Sequence, residues 1–442
     1  MSHVDLLGDL VARARKAGAD MADAVLVAGT SLSVARRAGQ TEQLERAEGQ
    51  DLGLRVFVGQ QAAIVSATSI DPKSFDQLVE RAIAMARVVP ADPFSGLAEL
   101  MAPPEAVDLQ LDDGREPDAD TLLERAEIAE NAARGVCGIT NTEGGQADFS
   151  RTEIVLVTSA GFAGQVRRSS HSVAAVALAG EGVGMQRDYD YSSKSHYADL
   201  EDPEAIGLSA AHRALARLNP TRPKTAKVPV LFDPRVSSSL LGSFVGAING
   251  ASVARGTSLL KDKMGQAVFG PGITIIDDPR RVRGGRSRAF DGEGVPTRTR
   301  KLVENGVLQT WLLDSRSARQ LGLASTGHAS RGTGGPPSPS STNLYMEAGT
   351  LTPTELMADI KEGLYVTELL GGGMNGITGD YSRGAAGFMI RNGVLAEPVA
   401  EITIAGNGLE MFANLVPAND LVFRRGTDAP TIRVDGLTMA GA

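Results

Sequence analysis

The sequence has few of the residues that usually build cross-links and metal centres. It contains one cysteine, Cys137, so it can form neither an intrachain disulfide nor a thiolate metal cluster of its own. It contains five histidines, and no two of them have the i, i+4 spacing of a helical H-E-x-x-H zinc motif. The chain therefore lacks this local zinc motif, and a site built from distant ligands is left as the alternative.

Long basic and long apolar runs are also missing. The net charge is -9, and the most basic stretch is Arg280-Arg281 with its neighbours, which argues against direct contact with nucleic acid. No apolar run approaches the roughly 18 residues of a membrane helix. The N-terminal segment has Asp5 where a secretory signal is basic. We therefore expect a cytoplasmic protein that binds neither DNA nor a membrane.

Nucleotide-binding loops receive little support. No G-x-x-x-x-G-K-[ST] sequence occurs, which excludes a P-loop. Gly371, Gly373 and Gly376 match G-x-G-x-x-G, but the residues that follow do not form a helix pattern, and the dinucleotide motif needs a strand, a loop and a helix. A dinucleotide site is therefore not favoured.

The hydrophobic patterns predict an α+β fold in two domains. Residues 1–220 show hairpins and helices that predict layers of antiparallel sheet and helix, and residues 225–442 predict a mostly antiparallel, barrel-like sheet with helices. Prolines between Asn219 and Lys224 mark the boundary. A strand pair followed by an Asp-Pro helix start occurs at 52–87 and again at 152–218, which suggests an internal duplication.

Turn residues predict further features of the second half. Asn305-Gly306 and Asn392-Gly393 each lie between alternating strand patterns and predict type I′ hairpins. The segment Ser325 to Ser341 is rich in glycine, proline, serine and threonine, and we expect it to be a mobile loop.

The glycine-rich stretch from Gly371 to Phe388 is the strongest candidate for a functional element. We interpret it as a contact site for a peptide substrate or a partner near an exposed sheet edge. A structural role, in which Asp380 and Arg383 pair with each other or with backbone groups, is a competing interpretation. The candidate contact residues are Asn375, Asp380, Tyr381, Ser382 and Arg383.

Catalytic alternatives have less support, and we assign no catalytic residue. Ser382 lacks a G-x-S-x-G setting and a nearby histidine, so a catalytic triad would need a distant base. Asp277 and Asp278 could act as paired carboxylates, but an Asp-Asp-Pro strand end is more typical of a turn.

The order of several motifs resembles the TldD/PmbA family, and within it the PmbA (TldE) branch. The resemblance extends over nearly the whole chain. It is carried by Leu231-Phe232-Asp233-Pro234, Ile276-Asp277-Asp278-Pro279, Phe290-Asp291-Gly292-Glu293-Gly294-Val295-Pro296-Thr297, Glu304-Asn305-Gly306-Val307-Leu308, Gly379-Asp380-Tyr381-Ser382-Arg383-Gly384-Ala385 and Ile402-Thr403-Ile404-Ala405-Gly406-Asn407.

The resemblance implies a cytosolic, heterodimeric zinc metallopeptidase that acts on unfolded or extended peptides. In such a complex the TldD-type subunit carries a helical H-E-x-x-x-H motif, whereas the corresponding helix here, Ser237 to Ile248, has no metal ligand. The resemblance therefore implies no cofactor in this chain, zinc in a TldD-like partner subunit, and a role in proteolysis and peptide binding for the dimer.

Several alternatives stay open. The isolated chain could form a homodimer instead of a heterodimer. The chain could also be an autonomous non-zinc hydrolase, or a regulatory binding protein without enzymatic activity, as the family label "modulator of DNA gyrase" implies.

Overall fold

A computed structural model describes residues 2–99, 101–102 and 107–441, and it confirms the α+β class. The part up to Ala216 builds one sheet with helices. Its elements are α1 (His3–Lys16), β1 (Met21–Arg37), β2 (Gln40–Val58), β3 (Gln61–Ala67), α2 (Phe75–Ala86), α3 (Ala119–Gly135), β4 (Ile139–Thr158), β5 (Ala163–Ala179), β6 (Gln186–Lys194) and α4 (Pro203–Ala216).

The first sheet is antiparallel throughout and has the strand order β3-β2-β1-β4-β5-β6. The chain runs twice through the order α-β-β-β-α, first as α1 to α2 and then as α3 to α4. The three strands β1 to β3 and the three strands β4 to β6 join into one sheet where β1 pairs with β4. The element order thus agrees with the duplication that the sequence suggests.

The four helices cover one face of this sheet. On β1 the even-numbered side chains Ala24 and Leu26 pack with α1 and α2, and Leu32 and Val34 pack with α3. Since alternate strand residues share a face, all these contacts lie on the same side. β1 is continuous over 17 residues because β2 and β4 flank it on both sides.

One edge of this sheet is open along half of β2. Its residues Leu52 to Val58 pair with β3, but no strand of the described chain pairs with the outer side of Gln40 to Asp51. The side chains from Gln40 to Gln50 are exposed on both faces. Backbone donors and acceptors are therefore available along this edge.

The second half builds a barrel and a smaller sheet. Its elements are β7 (Ala226–Phe232), α5 (Pro234–Ala247), α6 (Gly250–Ala254), β8 (Ile275–Asp277), β9 (Arg300–Glu304), β10 (Val307–Leu308), α7 (Ser315–Leu321), β11 (Ala329–Ser330), β12 (Ser338–Pro339), β13 (Leu344–Met346), α8 (Pro353–Met357), β14 (Glu362–Met374), β15 (Asp380–Arg391), β16 (Val394–Asn407), α9 (Gly408–Asn414), β17 (Val416–Pro417), β18 (Thr427–Asp428) and β19 (Ile432–Ala440).

The barrel closes through strands β16-β15-β14-β7-β19, because β19 also pairs with β16. Only the pairing of β7 with β14 is parallel among these contacts. Phe244 of α5 lies in the same core as the barrel residues Phe232 and Leu364, and it stacks edge-to-face on Phe412 of α9. The core of the second half therefore fixes α5 against the barrel.

Local sequence signals explain several boundaries. Asp202 caps the helix that starts at the next proline, as the Asp-Pro pattern predicts, and Asp233 caps α5 in the same way. Asp71 caps a short 3-10 turn instead, and α2 begins at Phe75. Asn305-Gly306 and Asn392-Gly393 have the positive φ values of type I′ turns, which confirms both hairpins.

The segment Ser325 to Ser341 is anchored, and its predicted mobility is wrong. The fully buried Asp23 of β1 accepts hydrogen bonds from Arg55 Nη2 at 2.5 Å and from Arg331 Nη1 at 2.6 Å. The Thr333 backbone lies so close to Gly53 that a Cβ there would be 2.2 Å from the Thr333 oxygen. Ion pairing and close packing therefore hold this polar segment against the first sheet.

No helix in the described part of the chain has the length and apolar character needed to cross a bilayer.

We predict that Asp23→Ala lowers the free energy of unfolding by about 3–5 kcal/mol, because two buried guanidinium groups lose their carboxylate. Asp76→Ala is the control, since Asp76 pairs with Arg13 but its side chain is 81% exposed, and it should cost less than about 1 kcal/mol. Urea unfolding measures both values. Equal losses in the two variants would contradict a central role for Asp23.

Candidate functional site

A hairpin between β14 and β15 presents the predicted contact residues. Asn375 holds the turn: its Oδ1 accepts hydrogen bonds from the backbone N–H groups of Ile377 at 2.9 Å and Thr378 at 3.1 Å. The Asp380 carboxylate accepts a hydrogen bond from the Thr378 hydroxyl at 2.7 Å. Asn375 and Asp380 are therefore exposed residues that also shape the hairpin.

Strand alternation separates the four residues that are adjacent in sequence. Asp380 and Ser382 are exposed on one face of β15, whereas Tyr381 and Arg383 are turned to the other. Tyr381 is only 3% exposed, and burial raises the pKa of its hydroxyl, which stays protonated. The structure thus corrects the prediction that Tyr381 contacts a ligand directly, since it belongs to the barrel core.

The structural alternative for this stretch is met in part. Asp380 and Arg383 form no ion pair, because three residues along a strand place them on opposite faces, but Arg383 donates to the backbone carbonyl oxygen of Leu369. β15 itself is not at a sheet edge, since it pairs with β14 on one side and β16 on the other. β14, however, pairs with β7 only from Leu364 to Val366, so no strand of the described chain pairs with the outer side of Gly371 to Met374. An extended peptide cannot add to β15 as a neighbouring strand.

Arg383 instead faces a cavity of about 260 Å³ beside α5, which we call the α5 cleft. Arginines from four separate elements meet there: Arg187 of β6, Arg217 after α4, Arg235 of α5 and Arg383 of β15. Ser239 of α5 also lines the cleft. The cleft therefore lies where the first sheet, α5 and the barrel come together.

Carboxylates balance three of these arginines. Arg235 donates to Asp188 at 2.7 Å, Arg217 contacts both Asp188 and Glu368, and Arg187 donates to Glu143 at 2.8 Å. Burial alone would lower the pKa of Arg235, but the hydrogen bond and charge of Asp188 raise it above its usual value. These three guanidinium groups are thus held in place.

Arg383 differs from its neighbours. Among the described residues it has no carboxylate partner, and its single hydrogen bond is a long one, 3.5 Å, from Nη2 to the Leu369 carbonyl oxygen. Its Nε is buried without a hydrogen-bond partner. An unpaired guanidinium with free donors can bind a carbonyl or carboxylate group that enters the cleft.

The two catalytic alternatives are not supported by the geometry. Ser382 has no hydrogen bond to a histidine within the described ranges. Asp277 is fully buried and accepts hydrogen bonds from His328 at 3.1 Å and Thr342 at 2.6 Å. Asp278 is bonded separately, to Thr299 at 2.7 Å. The two aspartates therefore serve structural contacts and do not share a site.

A buried acid lies in the motif that begins at Phe290. Asp291 accepts hydrogen bonds from the N–H groups of Glu293, Val295 and Ala329 at 2.9 to 3.0 Å. Burial and the charge of Glu293 nevertheless raise the pKa of Asp291 to about 7. Asp291 thus changes charge close to neutral pH.

Comparison with known proteins identifies the family. Residues 22–86, 112–218 and 225–441 match domain 1, the central domain and the C-terminal domain of PmbA/TldA metallopeptidases. The chain is 37% identical to the metalloprotease PmbA of Escherichia coli O157:H7 over 96% of this chain and 92% of that protein. The chain belongs to the PmbA/TldD family of metallopeptidases. A PmbA homologue of Haemophilus influenzae is 35% identical over 97% of this chain and 94% of its own length.

Two solved structures have the same fold as this PmbA/TldD family member. A Bacteroides thetaiotaomicron protein, whose name proposes that it modulates DNA gyrase, has a TM-score of 0.90 at 27% identity, and the match covers 99% of this chain and 98% of that one. TldE from Thermococcus kodakarensis has a TM-score of 0.87 at 21% identity, over 99% of this chain and all of that chain, which shows a common fold.

Because the PmbA/TldD family is one of metallopeptidases, the question is whether the side chains of α5 could bind a metal ion. The exposed and half-buried positions of this helix include Ser238, Ser239, Gly242, Ser243 and Gly246, none of which is a usual zinc ligand. The described residues also contain no group of three histidine, cysteine, aspartate or glutamate side chains placed to hold a metal. The residues beside α5 therefore do not fit zinc.

We predict a pH-dependent stability that originates at Asp291. Its pKa in the folded chain is above the ordinary value of about 4, so the folded protein holds this proton more tightly and loses stability as the pH rises from about 4 to about 7. Asp291→Asn cannot titrate. Its melting temperature should fall less between pH 5 and pH 8 than that of the unaltered protein.

Asp76→Asn serves as the control, because it removes an exposed carboxylate and should keep the original pH profile. Identical profiles for Asp291→Asn and the unaltered protein would show that Asp291 does not cause the effect.

Proposed function

We propose that this chain is a PmbA/TldE-like subunit of a zinc metallopeptidase complex that acts on unfolded or extended peptides. One observation carries the proposal: α5 has no zinc ligand, although the chain belongs to a metallopeptidase family and keeps an open cleft beside this helix. In this proposal a TldD-like subunit provides the zinc, and both subunits operate in the cytoplasm.

Arg383 is the residue that we assign to peptide binding. Its guanidinium group faces the α5 cleft without a carboxylate partner, so a peptide carbonyl oxygen or a terminal carboxylate can accept its free N–H groups. Such contacts recognise groups that every peptide has. They suit a subunit that positions extended substrates of different sequence.

The exposed side of the same hairpin is our proposed partner contact. Asn375, Asp380 and Ser382 lie there with two large apolar side chains, Leu370 and Ile377, which are 56% and 64% exposed. Large apolar side chains that are exposed on a hairpin add apolar area that a partner can bury. The hairpin therefore offers polar and apolar contacts to the second subunit.

The two alternatives have less support. An autonomous non-zinc hydrolase would need a base for Ser382, and the described histidine hydrogen bonds do not provide one. A purely regulatory role rests on the name of the Bacteroides protein. We therefore retain the peptidase subunit as the proposal.

Metal and activity measurements test the proposal directly. The chain purified alone should contain no stoichiometric zinc and should not cleave peptides, whereas the chain co-purified from its own cytosol should bring a zinc-bearing partner and peptidase activity. Stoichiometric zinc together with cleavage by the isolated chain would refute it. A homodimer with no partner in the co-purification would also count against it.

In the active complex, Arg383→Met should raise KM for peptides about tenfold or more, because a charge-assisted hydrogen bond is lost. Zinc content should not change, since Arg383 lies in the metal-free subunit. Arg81→Met, which removes an exposed guanidinium group on α2, is the control and should leave kcat and KM within about twofold. Loss of cleavage in Ser382→Ala would favour the non-zinc hydrolase instead.

A further inference from the structure

A second cavity, of about 650 Å³, lies between β5 and β6 on one side and two loops of the second half on the other. We call it the arginine cavity. Seven lysine and arginine side chains line it against two aspartates, although the whole chain has a net charge of -9. The volume is within the roughly 300–1,000 Å³ of small-molecule sites.

Three of the seven cations are already paired. Lys194 contacts Glu201 at 3.4 Å, Arg283 contacts Asp199 at 3.0 Å and Arg424 contacts Asp190 at 3.5 Å. These pairs hold the wall of the cavity and contribute little net charge. The excess positive charge therefore comes from the remaining four arginines.

Those four arginines have no carboxylate oxygen within 4.0 Å among the residues that the structure describes; they are Arg168, Arg281, Arg286 and Arg425. They come from β5, from the loop before β9 and from the loop before β18. Four like charges at one cavity repel each other unless an anion lies between them.

The surrounding contacts hold these guanidinium groups in position without neutralising them. Arg168 donates to the carbonyl oxygens of Gly285 at 3.2 Å and Ser287 at 2.7 Å, and its buried Nε has no partner. Arg281 stacks on Phe423 at 3.6 Å from the ring centre. Burial lowers the pKa of both Arg168 and Arg281, although the charges of Asp428 and Asp278 act in the opposite direction on Arg281.

We propose that the arginine cavity binds an oligophosphate, that is, a ligand with two or more linked phosphate groups. The planar guanidinium group of arginine donates paired hydrogen bonds to phosphate oxygens. One diphosphate or triphosphate carries several negative charges on neighbouring phosphate groups, so a single ligand can balance the guanidinium groups of this cavity. The serines Ser170 and Ser193 at the wall are further hydroxyl donors. The proposal is independent of the peptidase role.

Two ligand sources share this chemistry, namely a nucleoside polyphosphate and inorganic polyphosphate. Duplex DNA fits less well, because it needs a row of basic residues along an extended surface, and the seven cations here surround one cavity.

Titration calorimetry on the full chain, with inorganic tripolyphosphate, ATP and a short DNA duplex, tests the proposal. We expect saturable binding of tripolyphosphate with one site per chain and a higher melting temperature in its presence. The double variant Arg281→Met/Arg286→Met should weaken this binding about tenfold or more, since two charge-assisted contacts are lost. ATP that binds tenfold more tightly than tripolyphosphate would identify the nucleoside as part of the ligand.

Arg81→Met/Arg87→Met is the matched control, because it removes two exposed positive charges near α2, far from the arginine cavity in sequence. The affinity of this control variant for tripolyphosphate should stay within about twofold of that of the unaltered chain. The single variant Arg286→Lys keeps the positive charge but loses the forked guanidinium group, so its affinity should lie between those of the control and the Arg281→Met/Arg286→Met variant. Equal weakening by the control, absence of saturable binding, or tighter binding of the DNA duplex than of tripolyphosphate would each overturn the proposal.

Discussion

The joint between the two halves of the chain depends on the buried carboxylate of Asp23. It lies on the sheet face opposite the helices, where Arg55 of the same sheet and Arg331 of the second half both bind it. A charge this deeply buried is stable only when it is fully paired, so the segment that carries Arg331 must stay in place. Both cavities are also lined by residues from both halves, and the contacts of Arg235 with Asp188 and of Arg168 with the Ser287 carbonyl oxygen join the halves beside them.

The α5 cleft combines a helix that is fixed by its packing with accessible positions that carry no usual metal ligand. Asp233 caps the N-terminus of α5, and Leu240 and Phe244 of this helix pack into the core that it shares with the barrel. Its accessible positions, however, carry serine and glycine. The cleft also contains the guanidinium group of Arg383, which has no carboxylate partner among the described residues.

Local signals predicted the fold better than the site. Asp-Pro caps and Asn-Gly turns depend on neighbouring residues, and most of them occur as expected. The cleft arginines are 18 to 148 residues apart along the chain from one to the next, so no local pattern reveals them. The arginine cavity had a visible signal around Arg280 to Arg288, but the negative net charge concealed its meaning. Ser325 to Ser341 looked mobile because its anchors, Asp23 and Gly53, are distant in sequence.

The open edge of β2 has a consequence for association between identical chains. Glu42, Glu45 and Glu48 are evenly spaced along it. If two copies were aligned antiparallel about Glu45, each Glu45 would face its own counterpart, and Glu42 would face Glu48. Like charges placed opposite each other on paired strands repel. Arg37 and Arg46 lie within 4.0 Å of Glu42 and Glu48 and offset part of this repulsion, whereas Glu45 is bonded only to the neutral Gln43 among the described residues. The edge thus disfavours this pairing of two copies mainly at Glu45.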